Sequence, residues 1–214
     1  MFLFCSIFSR PGKPEEIAMD GSFEFYRELP RRPKRPERLF FATLAGAAGH
    51  EIAERRDMLI SENGLNGAPI KTERLHLSYH HVGDYARLPP TSAYAGTQAG
   101  HAVSMRSFEV AFSVIASFEA MPRRDGRPPR WPVVLGGEGD GLFELHKTLG
   151  AAMQRFGLKT VEHFVPHMTL FYSPRPITPR TIKPIRLRVN EFCLIHSEVG
   201  LTRYNILHRW RLKS

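Results

Sequence analysis

Cysteine is nearly missing from this chain. Cys5 and Cys193 are the two cysteines among 214 residues, too few for a disulfide framework or a structural zinc site. A reducing, cytoplasmic setting is therefore expected. Long apolar runs are missing as well: none approaches the roughly 18–20 residues that a membrane helix needs. The apolar opening MFLFCSIFSRPGK lacks the basic n-region and small-residue cleavage site of a signal peptide, so no membrane role is expected. Acidic residues are scarce, at 21 Asp and Glu against 30 Lys and Arg, for a net charge of +9. That balance favours a polyanionic partner, nucleic acid first. There is no Walker loop, no dinucleotide fingerprint and no Cys/His zinc spacing, and neither metal nor cofactor is expected.

What the chain does have is enough length for one large or two small domains, and 42% hydrophobic residues with which to fill a core. Residues 1–37 hold five prolines among many charges. Proline removes amide donors and fixes φ, so this stretch reads as a basic, extended arm. The basic residues come in runs, among them 27–38, 123–130 and 175–188; any one of them reads as a solvated face, but together they favour an anionic ligand.

From residue 38 the pattern becomes regular, and 38–214 reads as one folded domain. RLFFATLA (38–45) is a buried strand by its aromatic and β-branched content. The spacing over 49–63 predicts a helix, 74–83 a strand, and 91–105 a helix of small residues. Strands follow at 108–120 and 130–138. The helix over 140–157 is the clearest, with Leu142, Leu145, Leu149, Met153 and Phe156 recurring at three or four, Asp140 placed to cap it and Gly157 to end it. A strand at 163–172 and a hairpin of 185–199 with 203–213 complete the chain. Each half thus contains strand, helix, strand.

In both halves the strand after the helix carries a histidine, an apolar residue and a hydroxyl residue: His76-Leu77-Ser78 and His167-Met168-Thr169. Residues i and i+2 of a strand share a face, so His76 projects with Ser78 and His167 with Thr169. Related by an approximate two-fold, the halves would present two imidazoles and two hydroxyls to one cleft. That set suits attack on a phosphodiester. One imidazole takes a proton from the nucleophile and the other gives one to the leaving oxygen, while the hydroxyls donate to the phosphate oxygens. A lone His-x-Thr is usually packing beside a surface polar residue; two in equivalent places are not. By parity His80 either lines the same face or sits on the surface at a strand end, and His81 faces away unless a bulge intervenes. His163 and His167 are four apart, but Pro166 between them argues against a helix and so against a metal pair.

At RLHLSYHHVG and PHMTLFYSPR the chain resembles the two-histidine (2H) phosphoesterase superfamily. It most resembles the RNA 2′,3′-cyclic phosphodiesterase branch, also called 2′-5′ RNA ligase-like. The resemblance covers roughly residues 38–214. It implies a bilobal α+β fold, with two pseudo-symmetric strand–helix–strand halves whose antiparallel sheets surround a central cleft. It implies hydrolysis of a 2′,3′-cyclic phosphate, in an RNA end or a small cyclic nucleotide, to a 2′-phosphate without metal. His76 and His167 match the catalytic histidines, and Ser78 and Thr169 the phosphate-binding hydroxyls. In the family the first histidine is drawn as the acid and the second as the base, although the symmetry of the site permits the reverse. The chain departs from the pattern in three places. Serine replaces the commoner threonine in the first motif, which keeps the hydroxyl. Relatives carry an arginine soon after the second motif, where this chain offers Tyr172 or Arg175 as substrate-binding residues. An aromatic that follows the first motif is replaced by His80 and His81. Ligation of 2′-5′ RNA ends and a non-catalytic RNA- or nucleotide-binding module are the competing readings, and a monomer is expected.

Overall fold

A computed structural model describes residues 36–214, apart from 66, 68, 123–125 and 202. Nearly all of the expected arm, and Arg123 and Arg124 of the basic runs, lie outside the described residues. The first half comprises β1 (Glu37–Leu44), α1 (Gly49–Glu62), β2 (His76–Tyr85) and α2 (Pro90–His101). The second comprises β3 (Phe108–Ser117), β4 (Trp131–Glu138), α3 (Asp140–Arg155) and β5 (His167–Ser173), and β6 (Arg180–Val189), β7 (Glu191–Glu198) and β8 (Asn205–Arg211) follow. Among the described residues no helix is long and apolar enough to cross a membrane.

The strands form one antiparallel sheet in the order β6-β3-β4-β5-β2-β1-β7-β8. The expected pseudo-symmetry is visible in that order. Two four-stranded halves meet at β5 and β2, and each contains a strand–helix–strand unit, β1–α1–β2 or β4–α3–β5. The halves are not separate sheets, because the pairing of Leu77 with Met168 joins them. The apolar residues between the motif residues point into the core: Leu77, Met168, Leu170 and Phe171 are fully buried.

Helix α3 buries Leu142, Leu145, Leu149 and Met153, four of the five residues that its spacing announced; Phe156 stands just past the last turn and is exposed. Burying each such side chain is worth roughly 1.5–3 kcal/mol. Its cap differs from expectation. Gly139, at φ 145°, is the N-cap, and Asp140 sits inside the first turn. A side chain at 139 would bring its Cβ to 2.8 Å from the Glu109 carbonyl oxygen, so the cap position has room only for glycine. The strand expected over 163–172 begins only at His167. The segment expected as a single strand over 185–199 is two, because β6 leaves β3 at Val189, and β7 pairs with β8 from Glu191 and with β1 from Cys193. The missed strand β6 is an edge strand. Ile185, Leu187 and Val189 point inward between exposed basic residues, and Pro184 is tolerated at an edge.

The small residues of α2 let the helix lie close to the sheet. A Cβ at Gly100 would run into the Trp210 ring, and one at Gly96 would lie 3.0 Å from Leu194. Gly100→Ala should therefore lose about 1–3 kcal/mol from overpacking, more than the gain in helix propensity, which is about 1 kcal/mol. Urea unfolding measures the balance; a variant as stable as the parent would mean that α2 does not press on Trp210.

Candidate active site

The two motif strands lie side by side, and their pairing decides which groups meet. With Leu77 opposite Met168 in an antiparallel ladder, Ser78 falls across from His167 and His76 across from Thr169. Each imidazole is thus neighbour to the other motif's hydroxyl. The histidines themselves sit on a diagonal, a spacing of about 7–8 Å in such ladders, room for one phosphate.

Beyond the motifs both strands bulge. Phe41 pairs with His80 and Ala42 with Ser78, leaving Tyr79 unpaired; Val133 pairs with Phe171 and Val134 with Thr169, leaving Leu170 unpaired. A bulge reverses the alternation that follows it. His81 and Tyr172, each five positions after its motif histidine, therefore return to the cleft face. The burial patterns of His76–Val82 and His167–Ser173 match residue for residue. His80 takes the inward place instead. It is buried, its ring stacks on His146 at 4.0 Å, and its Nε2 donates to the His146 carbonyl at 2.8 Å.

Both motif histidines are oriented by the same device. Nδ1 of His76 lies 2.8 Å from the Arg74 carbonyl, and Nδ1 of His167 lies 2.8 Å from that of Val165. A carbonyl only accepts, so Nδ1 carries the proton in each ring and Nε2 is left for chemistry. Their surroundings differ. His76 packs against Phe40 at 5.3 Å and Tyr204 at 5.4 Å, whose hydroxyl lies 3.4 Å from Nδ1. His167 meets Phe118 edge-on at 4.7 Å. Burial lowers the pKa of His76 from its ordinary 6.5; the Arg74 carbonyl opposes the fall, and the charges of Arg74 and His167 extend it, leaving His76 at about 4. His76 is thus neutral at pH 7.

The motif side chains line a cavity of about 630 Å³. His76, Ser78, His167, Thr169 and Tyr172 are brought together there, with Arg38, Arg74, His81 and Tyr204. Among the described residues no carboxylate lines it. Asp84, just behind, accepts from Arg38 at 2.7 and 3.0 Å and from His81 at 3.0 Å; the Arg38 guanidinium above all holds its carboxyl down at about 2. Arg175 is not in the lining: it donates to the Asn63 carbonyl at 2.8 Å. His163 stands on an exposed loop. Among the described residues no group of three or more His, Cys, Asp or Glu is gathered to hold a metal. Sequence reasoning missed Arg38, Arg74, Phe40 and Tyr204. For Arg74 a signal was there, since it stands two before the motif histidine; Arg38 and Phe40 arrive from β1, and Tyr204 from the residue just before β8.

No protein-family model and no curated protein matches the chain. Among solved structures it is similar to TT0787 of Thermus thermophilus, at 21% identity and a TM-score of 0.65 over 83% of this chain and 98% of that one. It is similar to E. coli LigT in its apo form, at 24% identity and a TM-score of 0.60 over 84% and 99% of the two chains. LigT complexed with 3′-AMP aligns over the same shares at 24% identity, with a TM-score of 0.57. Identities this low speak for the fold, and the near-complete coverage of those chains says that the whole of it is shared. The chain has the α+β fold of the LigT-like 2H phosphoesterases, with its paired His-x-Ser/Thr strands at the junction of the two halves.

Proposed function

We propose that the chain is a phosphodiesterase that hydrolyses 2′,3′-cyclic phosphates, at RNA ends or in small nucleotides, to 2′-phosphates without a metal. The observation that carries this reading is the symmetric pair of histidines, each with Nδ1 tied to a carbonyl and each beside the other motif's hydroxyl. The complexes of LigT with phosphate and with 3′-AMP support a nucleotide phosphate as the ligand class.

Water attacks phosphorus, the P–O3′ bond breaks, and the phosphate stays on O2′. Nε2 of His76 takes the proton of the attacking water, and Nε2 of His167 gives its proton to O3′. This order reverses the one implied by the resemblance. Burial against Phe40 and Tyr204 and the Arg74 guanidinium disfavour a positive His76, so the shared proton belongs on His167. After product leaves, exchange with solvent returns the proton from His76 to His167. Ser78 and Thr169 donate to the non-bridging oxygens as charge grows there.

The test is turnover of an RNA ending in a 2′,3′-cyclic phosphate, and of mononucleotide 2′,3′-cyclic phosphates, with and without EDTA. A 2′-phosphate product at an EDTA-insensitive rate is expected; no turnover of either substrate class sinks the reading. Ser78→Ala and Thr169→Ala should each slow the reaction about 10²-fold, the loss of one donor to developing charge, and by similar amounts, because they occupy equivalent places. An alanine variant slower than the histidine variants would instead point to a hydroxyl nucleophile.

A further inference from the structure

Arg74 closes the short 3-10 turn Thr72–Arg74, two residues before His76. Its main chain orients His76, but its side chain has no such duty. The guanidinium turns over the ring of Tyr204, 4.5 Å from the centroid, and lines the cavity with both histidines and both hydroxyls. The other arginine in that lining, Arg38, is committed to Asp84. Among the described residues Arg74 has no such carboxylate: none lines the cavity, and it makes no ion pair. Its Nε is shut from solvent without a hydrogen-bond partner, an arrangement that leaves a charged donor uncompensated.

The second half sharpens the point. Val165 holds the equivalent place, and its carbonyl performs the same service for His167. The backbone keeps the pseudo-two-fold; a cation against an apolar side chain breaks it. We infer that Arg74 is the phosphate-binding cation of this cleft, held on Tyr204 so that its planar donors meet a non-bridging oxygen between the two histidines. A guanidinium suits that oxygen pattern better than a point charge does. The inference rests on the phosphodiesterase reading only for the identity of the anion.

The test uses the full chain and inorganic phosphate. Calorimetry should show Arg74→Gln binding phosphate at least tenfold more weakly than the parent, with Arg74→Lys in between. His76, which faces Arg74, Tyr204 and His167, should titrate at higher pH in the glutamine variant when followed by NMR of its ring nitrogens, because a neighbouring cation is gone. Phosphate binding in the glutamine variant within twofold of the parent overturns the assignment, and so does a parent that binds no phosphate. Equal losses in the glutamine and lysine variants with an unmoved His76 titration also overturn it, since they mark a structural role only. Should the glutamine variant fail to fold, the Nε–H resonance of Arg74 in the parent answers the question: a shift on adding phosphate supports the contact, and none overturns it. Phosphate binding through Arg74 in a chain that hydrolyses no cyclic phosphate would keep this inference and sink the proposed function. Turnover by the parent, with phosphate binding untouched in Arg74→Gln, would do the reverse.

Discussion

His76→Ala and His167→Ala should each lower turnover of a 2′,3′-cyclic phosphate by about 10²–10⁴-fold, the usual worth of one proton-transfer group, while the protein stays folded. Both side chains lie half-buried on the cleft face rather than in the core, so their removal leaves the sheet packing intact. The double variant should be little worse than either single one, because acid and base act in one step. The two roles can be told apart. A nitrophenyl phosphodiester has a leaving group that needs no proton. With it, His167→Ala should recover much of its loss and His76→Ala should not, if His76 is the base. The opposite recovery would restore the order implied by the resemblance, and near-parent rates in either variant would remove that histidine from the chemistry.

Acid should weaken the fold through a second pair of histidines that the chemistry does not use. His80 and His146 are both buried, at 2% and 8% exposure, and their rings stack, with Phe164 on the far side of His146 at 4.4 Å. His80 Nδ1 and His146 Nε2 have no hydrogen-bond partner, so a proton added to either brings a buried charge with nothing to meet it. Burial, helped by the nearness of His80, holds His146 at about 4 instead of its ordinary 6.5, and burial lowers His80 in the same direction. Each is neutral in the folded state over a range where the unfolded chain binds a proton. Stability is therefore complete above about pH 6.5 and falls as the pH drops towards 4. With His80 beside it, His146 accounts for at most about 3 kcal/mol of that fall, or at most roughly 6–12 °C in melting temperature for a chain of this size.

The clean comparison is His146→Phe, which keeps a ring in the stack and removes the titrating group. Its loss of melting temperature between pH 7 and pH 4 should be smaller than the parent's by up to that amount. An equal loss in both proteins would clear the pair of responsibility. His76, also held near 4, titrates in parent and variant alike and cancels in the comparison. Phe164 belongs to the segment whose Val165 carbonyl orients His167, so loosening the stack should reach the second motif before the first.

Local pattern along the chain was enough for most of the elements and for the central four residues of the site. The three- and four-residue spacing of Leu142, Leu145, Leu149 and Met153 is a property of a helical backbone, and the i, i+2 placement of His76 with Ser78 and His167 with Thr169 is a property of a strand. Neither needs a neighbour to be read. Their repetition in two halves then implied one shared cleft. Whatever depends on which strand lies beside which came from the folded arrangement. The unpaired residues Tyr79 and Leu170 arise from registry with β1 and β4, and these bulges, not local parity, sent His80 into the core and His81 to the cleft. The break at Asn190 between β6 and β7 is a passage from one half of the sheet to the other, invisible in a stretch where the apolar residues Ile185, Leu187 and Val189 lead within three positions to the apolar run of Phe192, Cys193, Leu194 and Ile195. Tyr204 reaches His76 across 128 positions of chain; only the pairing of β7 with β1 and β8 brings it there. Arg74 was near its histidine in the chain all along, but its charge acquired meaning only when the fold gave Arg38 a carboxylate and left Arg74 without one, because a charge is judged by what surrounds it in space.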